Sequence, residues 1–417
     1  MLAGSDHVTE TRAPASAIWA LGLTQIIGYG TLYYSFAILA PGMATDFDLP
    51  EHWIFGALSV ALFVGSLLAP TAGRLADRYG AGRVMCLGSA AAALALVAAA
   101  LSPNAAAFVA ALVMMELAAC FVLYATAFVA IVQLGDSGAS RSITHLTLIA
   151  GFASTAFWPL TTALYAELSW REVYVVFAAL NLFICLPVHF WLMRLHRRAV
   201  AVAAPAEKAP ASDERPVDPR RRTSAFLLMM GGFAAAGFVL SAVLLHMVPL
   251  LTALGLGTAG VLVATLFGPS QVASRLINMV FGGRLPQTVL AVIATGLLAA
   301  GITLLLVGAP NVAVIAFFVV LFGLGSGLVS IVGGTLPLEV FGREGYGRRV
   351  GWMSAARQFT SAFAPFVLAL MMARFSVPLS LATLLAVSFL GVLGFAVIVH
   401  LQRLSGRPAP APGASAV

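Results

Sequence analysis

Long apolar runs, each closed by a short polar or charged break, repeat along the whole chain. A run of about 20 apolar residues is the length an α-helix needs to cross a hydrocarbon layer. Read run by run, the pattern predicts twelve crossings, at 17–40, 54–72, 84–101, 105–133, 142–165, 172–193, 225–253, 258–281, 288–308, 311–337, 350–373 and 378–401. The third and fourth are joined by Ser102-Pro103-Asn104, the ninth and tenth by Gly308-Ala309-Pro310-Asn311. Pro, Gly and Asn turn a chain rather than continue a helix. Residues 195–223, rich in Ala, Pro and charge, and 405–417, made of Pro, Ala, Gly and Ser, have no apolar face to bury. Both are expected to be disordered.

Composition agrees with lipid as the main solvent. Of the 417 residues, 61% are hydrophobic and only 9% charged, against about 25% charged in a soluble domain. Mean hydropathy is +0.98. The net charge of +7 does not point to nucleic acid, because the arginines sit in short clusters between apolar runs. Of the 23 Arg and Lys residues, 19 fall on one side of a twelve-crossing arrangement. Arg171 and Arg374 fall on the other side, and Arg275 and Arg357 lie inside crossings. Positive residues collect on the cytoplasmic side, so both termini are expected there. The first apolar run follows a polar stretch and is long enough to span, so it is expected to remain as a helix. Cys86, Cys120 and Cys185 all lie in apolar runs and are expected to be small buried residues rather than disulfide partners.

The chain carries an internal repeat. Gly73-Arg74-Leu75 near the end of the second run matches Gly283-Arg284-Leu285 near the end of the eighth. Ser154-Thr155-Ala156-Phe157-Trp158-Pro159 in the fifth matches Thr360-Ser361-Ala362-Phe363-Ala364-Pro365 in the eleventh. The implied organisation is a cytoplasmic segment 1–16, a six-helix bundle 17–194, a linker 195–223, a second six-helix bundle 224–402 and a tail 403–417. Halves repeated in this way place a binding site at their interface near mid-membrane.

Residues 73–83 read Gly-Arg-Leu-Ala-Asp-Arg-Tyr-Gly-Ala-Gly-Arg. This segment resembles the loop between helices two and three of the major facilitator superfamily, with Gly73, Asp77, Arg78, Gly80 and Arg83 at matching positions. Ala81 stands where a basic residue is common, which thins the expected charge network. The resemblance implies two pseudo-symmetric bundles and alternating access. It also implies a conformational latch in which Asp77 takes bonds from a neighbouring helix N-terminus or from arginines.

Two arginines inside the bilayer are the main candidate chemistry. A charge at mid-bilayer costs roughly 2.5–3.5 kcal/mol even on the insertion scale, and guanidinium does not escape by losing its proton. Arg275 and Arg357 must therefore face partners or a wet cavity. Through the repeat, Arg275 aligns with Gly65 and Arg357 with Gly151, so glycine stands where the other half has arginine. Paired guanidiniums suit a carboxylate. The alternative is that they pair with Glu116 or with helix carbonyls. The placement is similar to that in the oxalate–formate antiporter and monocarboxylate transporter branches, in which basic residues of helices eight and eleven hold an organic anion. Tyr29 and Tyr33, four apart, lie with Gln25 on one face of the first helix. Asn278 and Gln358 lie close enough in sequence to orient the arginines. Glu116, the acid well inside a crossing, is a candidate proton carrier or a partner for an arginine.

The expected protein is thus an all-α integral membrane transporter of the major facilitator type. It would move a small solute such as a carboxylate, by exchange or with protons. The alternative is an efflux pump for drugs or a metalloid such as arsenite, for which Cys120 and Cys185 would be the thiolate candidates. No enzyme activity, cofactor, resident metal or nucleic-acid partner is expected, and no ATP-binding Gly-rich loop ending in Gly-Lys-Ser/Thr is present. The expected setting is the lipid bilayer of a bacterial inner membrane, and the expected working form a monomer.

Overall fold

A computed structural model describes residues 13–135, 137–202, 216–256, 258–282, 285–308 and 311–405. Gly283, Arg284, Ala309, Pro310, Lys208 with linker positions 203–215, and the terminal stretches 1–12 and 406–417 lie outside them.

The described chain is helical almost throughout. Its first part consists of α1 (Ala15–Tyr29), α2 (Phe36–Asp46), α3 (Glu51–Tyr79), α4 (Ala81–Ala100), α5 (Ala105–Val122), α6 (Tyr124–Leu134), α7 (Ala139–Ala150), α8 (Ala153–Glu167), α9 (Trp170–Leu180) and α10 (Leu186–Val202). Its second part consists of α11 (Arg222–Ala253), α12 (Thr258–Ala264), α13 (Phe267–Phe281), α14 (Gln287–Gly308), α15 (Val312–Phe341), α16 (Tyr346–Arg374) and α17 (Val377–Ser405). Ten spans among the described residues are each long and apolar enough to cross a membrane. The first and eighth expected crossings are each built from shorter pieces, α1 with α2 and α12 with α13, an arrangement consistent with twelve.

The breaks have local causes. Between α1 and α2 the chain makes a π turn over Gly30–Tyr34, closed by the Ser35 amide donating to the Gly30 carbonyl at 3.0 Å. A second π turn, Asn181–Cys185, joins α9 to α10. The two turns touch: Asn181 Nδ2 donates to Thr31 Oγ1 at 3.0 Å and to the Phe177 carbonyl at 2.9 Å. Side chains thus satisfy backbone groups that a widened turn sets loose. The fourth crossing breaks at Leu123, whose extended backbone ends α5. Gln25 Nε2 caps the Val122 carbonyl there at 2.7 Å, and Thr126 Oγ1 the Cys120 carbonyl at 2.9 Å.

Two apolar cores form, each within one part of the chain. Leu39, Met43, Leu96, Phe108 and Phe177 belong to the first, and Met229, Phe233, Leu298, Phe318 and Phe395 to the second. In lipid such packing is held by close fit rather than by escape from water. A third cluster crosses between the parts, bringing Ala76, Met85, Phe128 and Ile143 against Leu338, Tyr346 and Val350.

Two expectations shift. Helix α10 runs on to Val202, past the expected start of the linker at 195. Helix α15 continues beyond 337 to Phe341 and buries a second acid, Glu339, only 4% exposed. Its carboxylate caps the first amide of α14, the Gln287 N–H, at 2.6 Å. An unpaired N-terminal amide and the helix dipole together explain why an acid is tolerated there.

Candidate functional site

At one end of the bundle, α3 and α16 approach to backbone contact. A side-chain carbon at Gly73 would overlap the Gly347 carbonyl, and one at Gly351 would sit 2.6 Å from the Ala69 carbonyl oxygen. Asp77 lies at this crossing. Its two carboxylate oxygens accept from the Gly347 and Arg348 amides, each at 2.8 Å. These are the free donors of the first turn of α16, so the carboxylate meets both unpaired N–H groups and the positive end of the helix dipole. Arg343 adds a second tie, donating to the Val132 carbonyl at 2.8 Å and the Gly135 carbonyl at 2.6 Å. Gly80 opens α4 at φ +89°, a backbone region that suits glycine. Arg78 lies over the Tyr79 ring, and Arg83 is exposed on the surface beside it.

Further into the bundle the two arginines meet different surroundings. Arg275 is 3% exposed. It reaches across from α13 to α7, where one terminal nitrogen donates to the Thr147 carbonyl at 3.0 Å, and the other donates to Ser330 Oγ at 3.2 Å. Its Nε has no partner. Gly151 makes room for the guanidinium itself, since a side-chain carbon there would overlap the terminal nitrogen. Arg357 instead leans back on its own half: its Cγ lies where a side chain at Gly237 of α11 would go. The residue is exposed, and its guanidinium has no hydrogen bond or carboxylate partner among the described residues.

Tyrosines lie near both. Tyr29, Tyr33 and Tyr124 lie within electrostatic reach of Arg357, and Tyr34 and Tyr124 within reach of Arg275. Tyr124 is thus shared by both cations. The rings of Tyr29 and Tyr124 are 4.7 Å apart, and Tyr124 stacks on Phe128 at 5.2 Å. Because the π turn inserts an extra residue, Tyr29 meets Tyr34, five positions on, at 6.3 Å. Tyr33 is 49% exposed and packs edge-on against Tyr34. Phe63 of α3 meets Phe359 and Phe363 of α16 at 5.5 and 5.6 Å, which joins the parts through aromatic contact.

Glu116 is 6% exposed and pairs with neither arginine. Its Cβ faces Gly65, and its charge is felt at Tyr33 and Cys120. The remaining candidates stand further back. Gln25 is fully buried with its amide committed to Val122. The Gln358 side-chain oxygen is buried without a partner. Asn278 lies against Gly282 at the end of α13, and the hydrogen bonds of Arg275 go elsewhere. The thiol of Cys120 donates to the Gly65 and Glu116 carbonyls, while Cys185 is packed in the first core.

Sequence reasoning missed Tyr34, Tyr124, Thr147 and Ser330. Thr147 contributes a carbonyl, which leaves no side-chain signal, and Tyr124 follows a helix break that no Gly or Pro announces.

Ten membrane-length spans and two crossings built of shorter helices, packed in two cores and tied at one end, define a polytopic α-helical membrane protein. The Major Facilitator Superfamily profile matches residues 21–289. The chain belongs to that family, whose members are transporters rather than enzymes. Among solved structures it is similar to the human organic anion transporter MFSD10 (TETRAN), with 16% identity, TM-score 0.67, and 91% of this chain and 98% of that one covered. It is also similar to the proton:xylose symporter XylE, with 14% identity, TM-score 0.66 and coverage of 94% and 99%. FucP in the outward conformation follows with 15% identity, TM-score 0.59 and the same coverage. At these identities the likeness is one of fold. No curated protein matches the sequence.

Proposed function

We propose that the chain is a secondary transporter of a small organic anion, working by alternating access between six-helix halves at 17–194 and 224–402. The linker 195–223, the 1–16 segment and the 403–417 tail lie on the cytoplasmic side of the membrane in this reading, by the arginine bias of the loops. One observation carries it: Arg357 has a guanidinium with no partner among the described residues, near Tyr29, Tyr33 and Tyr124, while the other intramembrane arginine is already bonded. An unsatisfied cation inside a membrane protein is costly, and a carboxylate bound there relieves that cost.

Arg357 is the anion's principal partner in this scheme, and the tyrosine hydroxyls supply further donors. Arg275 senses the cargo through Tyr124. Gln25, Gln358 and Asn278 frame the site. Glu116, close to Tyr33 and free of any arginine, carries the coupling proton. Asp77 with Gly73, Arg78, Gly80 and Arg83 forms the latch that holds the chain closed at the cytoplasmic end. The protein works as a monomer in this reading.

The test is uptake of radiolabelled carboxylates by proteoliposomes. Wild type should accumulate a carboxylate that Arg357→Ala does not, with Arg357→Lys intermediate. Full anion uptake by Arg357→Ala would overturn the reading.

A further inference from the structure

Below the Asp77 contact lies a hollow of about 400 Å³, walled by the α3–α4 turn, the end of α6 and the last described turns of α10. Its lining includes Arg78, Arg83, His196 and Arg197. Among the described residues the one acid on its wall is Asp77, and both of its oxygens are already engaged by the Gly347 and Arg348 amides. None of the three arginines has an ion pair or hydrogen bond among the described residues. The N-terminus of α4 opens onto the same space. Its first amide, at Ala81, is held by Gln133 Oε1 at 2.8 Å, and the next residue, Gly82, is among those lining the hollow.

We propose that this hollow is a binding site for a phosphate-bearing anion. Among the described residues, three exposed guanidiniums and a helix N-terminus gather here with no free carboxylate, and they repel one another until an anion joins them. Guanidinium forks match phosphate oxygens in pairs, and a phosphate brings more acceptors than a carboxylate. The volume admits a phosphate together with the group that carries it. The phosphate comes either from an anionic lipid headgroup or from a free ion. In both cases the occupant bridges α3, α4 and α10 and braces the turn that presents Asp77 to α16. The site is remote from Arg357 and does not depend on the nature of the cargo.

The test uses the full-length protein in nanodiscs. One arm compares phosphatidylcholine discs with and without phosphatidylglycerol, reading retained lipid by native mass spectrometry. The other adds inorganic phosphate to phosphatidylcholine discs and reads the melting temperature, with sulfate-free chloride at equal ionic strength as the reference. The variants are Arg83→Gln/Arg197→Gln and, as a control of equal charge change per site, Arg194→Gln, whose guanidinium lies over the Phe190 ring. Preferential retention of phosphatidylglycerol, at least fivefold over phosphatidylcholine and lost in the double variant but not in the control, supports the lipid source. Stabilisation by millimolar phosphate with the same pattern supports the free ion. No preference in either arm overturns the site, as does a double variant that binds like wild type. Equal loss in Arg194→Gln also overturns it, because the effect is then diffuse charge.

Discussion

The two intramembrane arginines both rise from the second half of the chain, on α13 and α16, and are treated in opposite ways. Arg275 crosses the boundary between the halves and is clamped by Thr147 and Ser330, with Gly151 scooped out to admit it. Arg357 folds back along Gly237 within its own half and leaves its charge unspent. The lesson is that residue type does not decide role. The space beside each arginine does: a glycine across the boundary admits one to a carbonyl of the other half, and a glycine within the same half lets the other fold back with its guanidinium unbonded among the described residues.

The largest effect that sharpens this contrast is on Arg357. Arg357→Ala should cut carboxylate uptake on the order of 10- to 100-fold, the worth of a charge-assisted hydrogen bond, with little change in melting temperature. Arg275→Ala should do the reverse in part, lowering thermal stability.

The next effect tests the glycines. Gly151→Ala puts a carbon where the Arg275 nitrogen sits, expelling the guanidinium from the Thr147 carbonyl. The expected cost is about 2–3 kcal/mol, since a buried charge and a carbonyl lose their partner together, and it is read by denaturation in detergent. Gly65→Ala, whose new carbon would lie 3.3 Å from the Glu116 Cβ, should cost under about 1 kcal/mol because helices need separate by only a few tenths of an ångström. Equal costs for the two would break the comparison.

A smaller effect is expected at the tied end. Asp77→Asn keeps one acceptor oxygen but loses the charge that favours two amides at a helix N-terminus. It should weaken the tie by roughly 1 kcal/mol, a severalfold rise in the labelling rate of a single cysteine placed at the α3–α16 crossing. Last, Glu116→Gln should leave downhill exchange within about twofold of wild type while removing stimulation by a proton gradient. Retained stimulation would take the proton role away from Glu116.

Much of the fold is readable from the chain alone, because lipid imposes a simple rule: a crossing must be apolar and about 20 residues long. Ten spans obey it plainly. The first and eighth apolar runs were equally visible, but their breaks at Gly30–Tyr34 and after Ala264 were not, since a π turn spends one residue without a distinctive composition. The site is legible in part. Arg275 and Arg357 stand out because charge in an apolar run needs a reason. Their difference does not stand out, because it rests on the neighbours Thr147, Ser330 and Gly237, which reach them only through tertiary packing. The repeat pairs Arg357 with Gly151, yet Gly151 faces Arg275: alignment matched positions, while contact is made across the seam. Asp77 was expected to meet a helix N-terminus or arginines, and its carboxylate meets the amides of Gly347 and Arg348.

That acid meets main-chain amides at 347 and 348 rather than side chains. The bond can therefore be lost by changing residue 77 but hardly by changing its partner: Arg348 can be exchanged for any residue but proline and still offer its N–H. In a genetic screen, alleles that break this contact should fall at 77 and not at 348. Compensating alleles would have to arise elsewhere in the protein, because no replacement side chain at 348 restores an acceptor that position 77 has lost.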